Sequence, residues 1–475
     1  MAQTRKKYQR ILLMRMHSPL IGKVKHPHHV YPPMPLKYME ALLRRDGGYE
    51  VKLIDSWLPS EAGEDLVGKV KAWSPDVSIL MANPVDSQAA FEFGTEIKKE
   101  DGCFLVAVVQ EVGLNLESFL SATSPFDVAL PGESEVEVLS LVNRLNSRGP
   151  EKVRALYRSS SNGLKPFSVN DADGLPFPTY DRSEIDSYCF SSYPLRMKKK
   201  ARWGFVLSSR GCPYGCYFCS PIMRKTYGAK VRTRSAENVA DEIEHLMSLG
   251  INVISFEDDD LTARREHVLS LCREIRKRKL KINWISHARI DELDPPLMKE
   301  MKEAGCILLR LGVETGSERV LKLFRKNPRG KNWEETCKAV FAEARRLGIA
   351  TNALVIIGSP GETRQEVEAT IRLTLALDPD LIQVHFFTLY PGSPAYDEYK
   401  DRLPRDEISK MHHYNLPLVN LSRLSQEELW ELRSLFYKRF FLRPSFVLKH
   451  IYHYGIFYIQ NPKVFRQLSK VTGIL

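Results

Sequence analysis

The densest chemistry in this 475-residue chain lies in Ser209-Arg210-Gly211-Cys212-Pro213-Tyr214-Gly215-Cys216-Tyr217-Phe218-Cys219-Ser220-Pro221. Cys212, Cys216 and Cys219 follow a Cys-x-x-x-Cys-x-x-Cys spacing in a loop punctuated by Gly and Pro, directly after the apolar run Trp203 to Leu207. Such a loop can fold back and bring three sulfurs together. Thiolates are soft ligands that select zinc, copper(I) or iron–sulfur clusters over magnesium and calcium. A structural zinc ion is closed by four ligands, often as two Cys pairs, and no second pair follows here. Three thiolates on a four-iron cluster leave one iron open, and an open iron can bind a substrate. A zinc knuckle that borrows a fourth Cys or His from elsewhere is the competing reading.

At these residues the chain resembles the radical S-adenosylmethionine (radical SAM) superfamily. The resemblance implies that Cys212, Cys216 and Cys219 hold a [4Fe-4S] cluster whose unique iron chelates the amino and carboxylate groups of SAM. Phe218 matches the family's aromatic near the adenine. Further strings match in order. Phe256-Glu257-Asp258-Asp259 stands where the family binds the SAM amino group, which assigns Glu257 and Asp258. The bland alternative there is helix capping by Asp259 or Asp260. Arg289 is placed to pair with the SAM carboxylate, or else sits in a surface salt bridge. Glu314, in Gly312-Val313-Glu314-Thr315-Gly316-Ser317, is expected at the ribose or methionine part. Ala353-Leu354-Val355-Ile356-Ile357-Gly358 resembles a strand lying along adenine, which brings in Gly358. No residue is assigned to catalysis of the later steps.

These strings need successive strand ends to carry them. Residues 201–400 read as six strand–helix steps. Helices over Ala236–Leu249, His267–Arg278, Pro296–Ala304, Glu334–Leu347 and Glu366–Leu377 show three/four-residue apolar spacing, and Gly250, Gly305 and Gly348 stand at expected helix stops. The expected fold is the family's partial (βα)6 barrel, with its chemistry at the carboxyl ends of the strands.

Residues 1–150 also alternate strand and helix, from a strand at Ile11–Met16 to a helix at Glu135–Leu145. That pattern predicts a doubly wound parallel sheet. The layout resembles the cobalamin-binding-like domain that precedes many radical SAM domains. Its marks are Tyr31-Pro32-Pro33, Gly48-Tyr49-Glu50-Val51 and Pro131-Gly132-Glu133-Ser134-Glu135. Two departures stand out. No Asp-x-His-x-x-Gly supplies a histidine to cobalt from below, and Gln110-Glu111-Val112-Gly113 stands where relatives show a Gly-Gly pair. Side chains there can fill space that glycines leave for a ligand. A cobalamin site and a cofactor-free cover over the barrel both stay open. His17, His26, His28 and His29 follow the first strand, either as a solvated basic loop or as a substrate or cofactor contact.

Residues 151–200, with Gly174-Leu175-Pro176-Phe177-Pro178, read as a turn-rich linker. Arg196 to Arg202 carries five positive charges, read as a solvated face. Residues 401–475 read as a basic, aromatic-rich helical extension with a helix over Glu427–Phe436. After Glu431 there is no acidic residue, while eight Lys and Arg alternate with aromatics. This composition suits a membrane surface or an anionic, apolar ligand. It equally suits a helical subdomain packed on the barrel.

The formal net charge of +11 comes from 69 basic against 58 acidic residues. No basic groove or nucleic-acid module accompanies it, so nucleic acid is not the expected partner. The eight cysteines form no disulfide framework, which suits a reducing cytoplasm. Met1–Arg10 lacks the apolar core of a secretory signal, and no apolar run reaches the ~18 residues of a membrane span.

The resemblance to the cobalamin-type proteins related to anaerobic porphyrin-ring cyclases implies an enzyme. It would cleave SAM reductively and abstract hydrogen from an unactivated carbon of a small, apolar or lipid-like molecule. Flavodoxin or ferredoxin would supply the electron. The protein would be cytoplasmic, with peripheral attachment to the inner membrane surface through the C-terminal segment as a further expectation. Cobalamin-dependent methyl transfer is one outcome. The alternatives are a cobalamin-free cyclase, oxidase or rearrangement enzyme, and a non-catalytic zinc or nucleic-acid-binding protein.

Overall fold

The computed structural model describes residues 7–448 apart from 17–28, 59–60, 62–64, 84–86, 100–101, 110–115, 122, 160–165, 191–194, 196, 198–199, 220–227, 327–329, 331, 405–412 and 445. His17, His26 and His28, the side chain of His29, the Gln110–Gly113 stretch, part of the Arg196–Arg202 run and the 449–475 tail lie outside the described residues.

Five short apolar runs build the first sheet: β1 (Arg10–Arg15), β2 (Glu50–Asp55), β3 (Val77–Met81), β4 (Phe104–Val109) and β5 (Val128–Pro131). All pair in parallel, in the order β2-β1-β3-β4-β5. β3 and β4 are buried at every residue, as central parallel strands covered on both faces must be. Ile11 and Leu13 face one apolar cluster with helix α1 (Met34–Arg45), helix α4 (Glu135–Arg148) and helix α5 (Pro150–Ser159). Leu12 and Met14 face a second, with α2 (Leu66–Trp73) and α3 (Ser87–Lys98). The helix α5 lies at the start of the stretch the composition suggested was linker. Its Val153 and Tyr157 are buried against the first sheet.

The second sheet has six parallel strands: β6 (Trp203–Val206), β7 (Val253–Phe256), β8 (Asn283–Ala288), β9 (Cys306–Glu314), β10 (Ala350–Ile357) and β11 (Leu381–Phe386). They pair in strict chain order, and β6 and β11 do not close on each other. Sequential order makes every right-handed crossover return on the same side, so the helices gather on one face. These are α6 (Ala236–Ser248), α7 (Arg265–Lys277), α8 (Pro295–Glu303), α9 (Glu318–Phe324), α10 (Trp333–Leu347) and α11 (Arg364–Leu377). Helix α12 (Gln426–Phe441) joins that layer through Leu429, Leu432, Phe436 and Phe440, running five residues past the expected end at Phe436.

The other face is divided along the strands. Near the amino ends Trp203, Phe205, Val253, Ile285, Leu308 and Ala350 are apolar, and Val30, Met34, Tyr38, Leu42 and Tyr188 cover them. Burying each of the Val, Leu, Ile, Phe and Met side chains among them contributes roughly 1.5–3 kcal/mol. Helix α1 therefore serves both sheets, with Leu36, Met39 and Leu43 on the first and Met34, Tyr38 and Leu42 on the second. Even Lys37 is buried there, its ammonium 2.9 Å from Glu184 and 3.4 Å from Glu40. Because side chains alternate along a strand, Ser255 and Glu257, His287, Arg310 and Gly312, and Asn352 follow on the same inner face. The apolar floor gives way to a polar wall at the carboxyl ends.

Candidate active site

Four consecutive residues lead into Cys212, and a carboxylate fixes each one. Asp258 accepts from the Ser208 backbone N–H at 3.2 Å, from the Ser208 hydroxyl at 2.8 Å and from the Ser209 hydroxyl. Glu135 accepts from the Arg210 guanidinium at 2.8 Å. Asp259 accepts from the Gly211 N–H at 3.1 Å, where Gly211 takes φ +98° to start the loop. Two of these carboxylates, Asp258 and Asp259, follow the end of β7, whereas Glu135 opens α4 of the first sheet. Asp258 is thus engaged by the loop's own backbone and hydroxyls, and Asp260, not Asp259, takes the capping role, on the Thr262 N–H. Burial pushes the carboxyls of Asp258, Asp259 and Asp260 up to about 6, 7 and 8 respectively.

The loop's far side rests on an apolar cluster of Tyr217, Phe218, Val320, Phe324, Ile356, Phe387 and Leu389. Phe218 meets Phe324 edge-on at 4.7 Å. The Tyr217 N–H donates to the Phe324 carbonyl at 3.1 Å, and its own carbonyl accepts from Ala395 N–H at 3.2 Å. Cys216 is buried, and Cys212 and Cys219 are half-buried. Burial pushes the Cys212 thiol up to about 12, with Asp260, Asp259 and Cys216 adding to the rise. The Cys219 thiol is raised first by burial and then by Cys216 and Cys212. Thiols raised in this way, at Cys212 and Cys219, become thiolates when strong positive charge arrives with a ligand. Among the described residues, no three His, Cys, Asp or Glu side chains, the three cysteines included, stand together as a ready-made metal site.

Arg289 is at the heart of this arrangement. Its guanidinium lies 3.7 Å from the Cys216 sulfur and 3.7 Å from the Tyr214 ring centroid. It also donates to both Asp291 oxygens at 3.0 Å and to the Lys326 carbonyl at 2.6 Å. The structure therefore gives Arg289 a buried partner in Asp291 rather than a surface salt bridge. Glu314 ends β9 at φ +65°, a conformation that costs a non-glycine residue energy and turns its carboxylate back. It meets Lys326 at 2.9 Å over Gly312, where an added Cβ would lie 2.2 Å from the Glu314 carboxylate and 2.9 Å from the ammonium. Lys326 in turn lies near Cys216 and Cys219, so the Glu314–Lys326 pair reaches the cysteine loop.

Glu257 pairs with Arg310 at 3.2 Å across the inner wall. The Gly358 N–H, at φ +86°, donates to buried Glu362 at 2.6 Å, and Leu429 of α12 packs against that turn. Gly358 is linked to the loop through Ile356, two residues earlier, in the Phe218 cluster. Reasoning from sequence missed Arg310, Lys326 and Glu135 as site residues. Arg310 had a signal, a lone charge inside the apolar strand Cys-Ile-Leu-Leu-Arg-Leu-Gly-Val. Lys326 had none.

The two sheets meet at this loop. Arg210 and Arg232 face each other across a two-residue antiparallel ribbon, Ser209–Arg210 with Arg232–Thr233. Arg232 forks onto Glu133 at 2.6 Å while Arg210 holds Glu135. The Pro131-Gly132-Glu133-Ser134-Glu135 stretch, at the carboxyl edge of the first sheet, is therefore tied to the carboxyl edge of the second. Gly132 is required there: at φ +81° an added Cβ would sit 2.7 Å from the Phe167 carbonyl.

Known proteins resemble this chain over most of its length. Residues 206–374 match the family described as the radical SAM superfamily. An uncharacterized methyltransferase of Pyrococcus horikoshii is 29% identical over 441 residues, covering 90% of this chain and 92% of that protein. The anaerobic magnesium-protoporphyrin IX monomethyl ester cyclase of Cereibacter sphaeroides is 24% identical, covering 89% of this chain and 68% of the cyclase. Among solved structures, the radical S-adenosylmethionine methyltransferase TsrM of Kitasatospora setae, with cobalamin and a [4Fe-4S] cluster bound, superposes with a TM-score of 0.61. It is 17% identical and covers 83% of this chain and 78% of its own.

Proposed function

We propose that this chain, a radical SAM enzyme by its matched domain over residues 206–374, is a cobalamin-dependent methyltransferase acting on a carbon of a small apolar molecule. The observation that carries the reading is the meeting of both sheets' carboxyl edges at the cysteine loop, through Arg210–Glu135 and Arg232–Glu133. A methyl carrier on the first sheet would then face the SAM site of the second.

Cys212, Cys216 and Cys219 would hold a [4Fe-4S] cluster, and the raised thiols fit a donor set that waits for positive charge. With SAM, the cluster supplies one-electron cleavage of the C5′–S bond and a 5′-deoxyadenosyl radical able to take hydrogen from carbon. The protein's part is orientation and exclusion of quenching. Arg289 holds the Cys216 end of the loop. Asp258 and Asp259 hold its entry, and Phe218 offers an aromatic face toward the adenine site. Glu257, Glu314 and Gly358 line the approach to SAM. Cobalamin, which supplies a transferable methyl group, would sit at the carboxyl edge of the first sheet. Support there comes from two buried oxygens without hydrogen-bond partners, Asn83 Oδ1 after β3 and Ser134 Oγ after β5.

A small electron carrier of the flavodoxin or ferredoxin kind would supply the electron. Among the described residues no helix is long and apolar enough to cross a membrane. Exposed Leu442, Val447 and Leu448 beside exposed Lys438 and Arg439 support peripheral attachment to an anionic lipid surface, and with it an apolar substrate.

The deciding experiment is cofactor content after anaerobic purification and reconstitution with iron, sulfide and cobalamin, followed by reduction with SAM present. Four irons with one cobalt per chain, and SAM cleavage, is the expected result. Four irons without cobalt favours cyclase-type chemistry, as the similarity to the porphyrin-ring cyclase would allow. A chain without iron overturns the reading.

A further inference from the structure

Residues 208–211 are each held by a carboxylate, and only Glu135 comes from the other sheet. Glu135 and Arg210 are 2% and 4% exposed, and their contact of 2.8 Å is sealed by Tyr38, whose ring lies 5.3 Å from the guanidinium. Glu135 is in the first turn of α4, where the helix dipole favours a carboxylate. Arg210 is two residues from Cys212. Breaking such a buried pair from one side leaves an uncompensated charge, so the partner must move or draw in water. The neighbouring pair differs. Glu133 takes Arg232 at 2.6 Å and the Val169 N–H and meets Arg210 only at 3.9 Å, and Arg232 is on the ribbon strand that leads away from the cysteines.

We infer that Glu135, acting through Arg210, is a positioning residue for the cluster loop, so that the first sheet sets the geometry of the cysteine site, while Glu133–Arg232 serves only to join the two units. This rests on the reading that the loop holds a cluster. The pair fixes the Cys212 corner as Arg289 fixes the Cys216 corner, one from each unit. Displacing a reacting centre by about 1 Å can cost on the order of a hundredfold in rate.

The test compares Glu135→Gln, Arg210→Lys and Arg232→Lys with the wild-type chain after full reconstitution. Iron per chain, thermal midpoint, the low-temperature EPR spectrum of the reduced cluster with and without SAM, and the rate of SAM cleavage per iron are measured. Glu135→Gln and Arg210→Lys are expected to keep iron yet change the SAM-induced EPR shift, and to lower cleavage per iron by about tenfold or more. Arg232→Lys should lower the thermal midpoint alone. If Glu135→Gln does not accumulate, Arg210→Lys carries the same comparison. Iron-loaded Arg210→Lys or Glu135→Gln with wild-type spectra and rate per iron overturns the inference and leaves the cluster reading intact. A wild-type chain without iron overturns both.

Discussion

Two residues give contrasting predictions about charge. Cys216 is the buried member of the cysteine set and the one Arg289 touches. Cys216→Ala should leave a folded chain that retains less iron after reconstitution and cleaves no SAM, checked by iron analysis and deoxyadenosine release. Full cleavage by that variant would remove the cluster assignment. Glu362 is fully buried, accepts from Gly358 and Ser359 N–H, and burial pushes its carboxyl up to about 7. Its folded pKa lies above the unfolded value near 4.5, so the folded chain binds the extra proton between those pH values. Stability from this group is therefore present at low pH and lost as pH rises from about 4.5 to 7, by up to roughly 3 kcal/mol. Glu362→Gln keeps a carbonyl acceptor for both N–H groups. It should flatten that slope and raise stability at pH 8, measured by denaturant unfolding across pH. The cysteines were legible from spacing alone. Glu362 was not, because nothing in Gly-Ser-Pro-Gly-Glu-Thr announces that its Glu folds under its own turn.

The helices and strands were legible where local signals agreed. Ala236–Ser248, Trp333–Leu347 and Arg364–Leu377 stand within two residues of where periodicity puts them. Gly250, Gly305 and Gly348 all take positive φ at the ends expected of them. Helix α11 carries a capping box, with Thr363 and Glu366 satisfying each other's backbone N–H groups. Thr363→Ala should cost about 1 kcal/mol, visible as a lower thermal midpoint with unchanged iron content. An unaltered midpoint would mean that tertiary packing alone sets this helix start. Less legible was α5, because Pro150 to Ser159 carries only a thin apolar stripe of Val153, Leu156 and Tyr157 among charges. Equally hidden was the double duty of α1, since a helix apolar on two sides reads in sequence simply as a strong helix.

Across the whole molecule, the basic and aromatic C-terminal composition is joined in the structure by an exposed apolar end at Leu442, Val447 and Leu448. Full-length protein should float with vesicles of mixed anionic and zwitterionic lipid, less so as salt rises through the Debye-screening range. Removing residues 449–475, or introducing Val447→Asp with Leu448→Asp, should abolish flotation. Equal flotation of all three would assign the segment a role in packing on the barrel instead. Contacts between the two sheets could not be read from sequence. Glu135 with Arg210 and Lys37 with Glu184 join positions 75 and 147 residues apart, and charges in loops carry no sign of which partner they will find.

The shared helix α1 also has a consequence for how the protein is made. Met34, Tyr38 and Leu42 leave the ribosome early, yet Leu308 and Ala350, which share their cluster, are about 300 residues behind. At synthesis rates of roughly 5–20 residues per second, that apolar face stays bare for about 15–60 s. The N-terminal sheet can form during this interval but cannot complete its surface. Newly made chains should therefore depend on a holding chaperone until the tenth strand emerges, and the separately expressed N-terminal segment should aggregate where the whole chain does not.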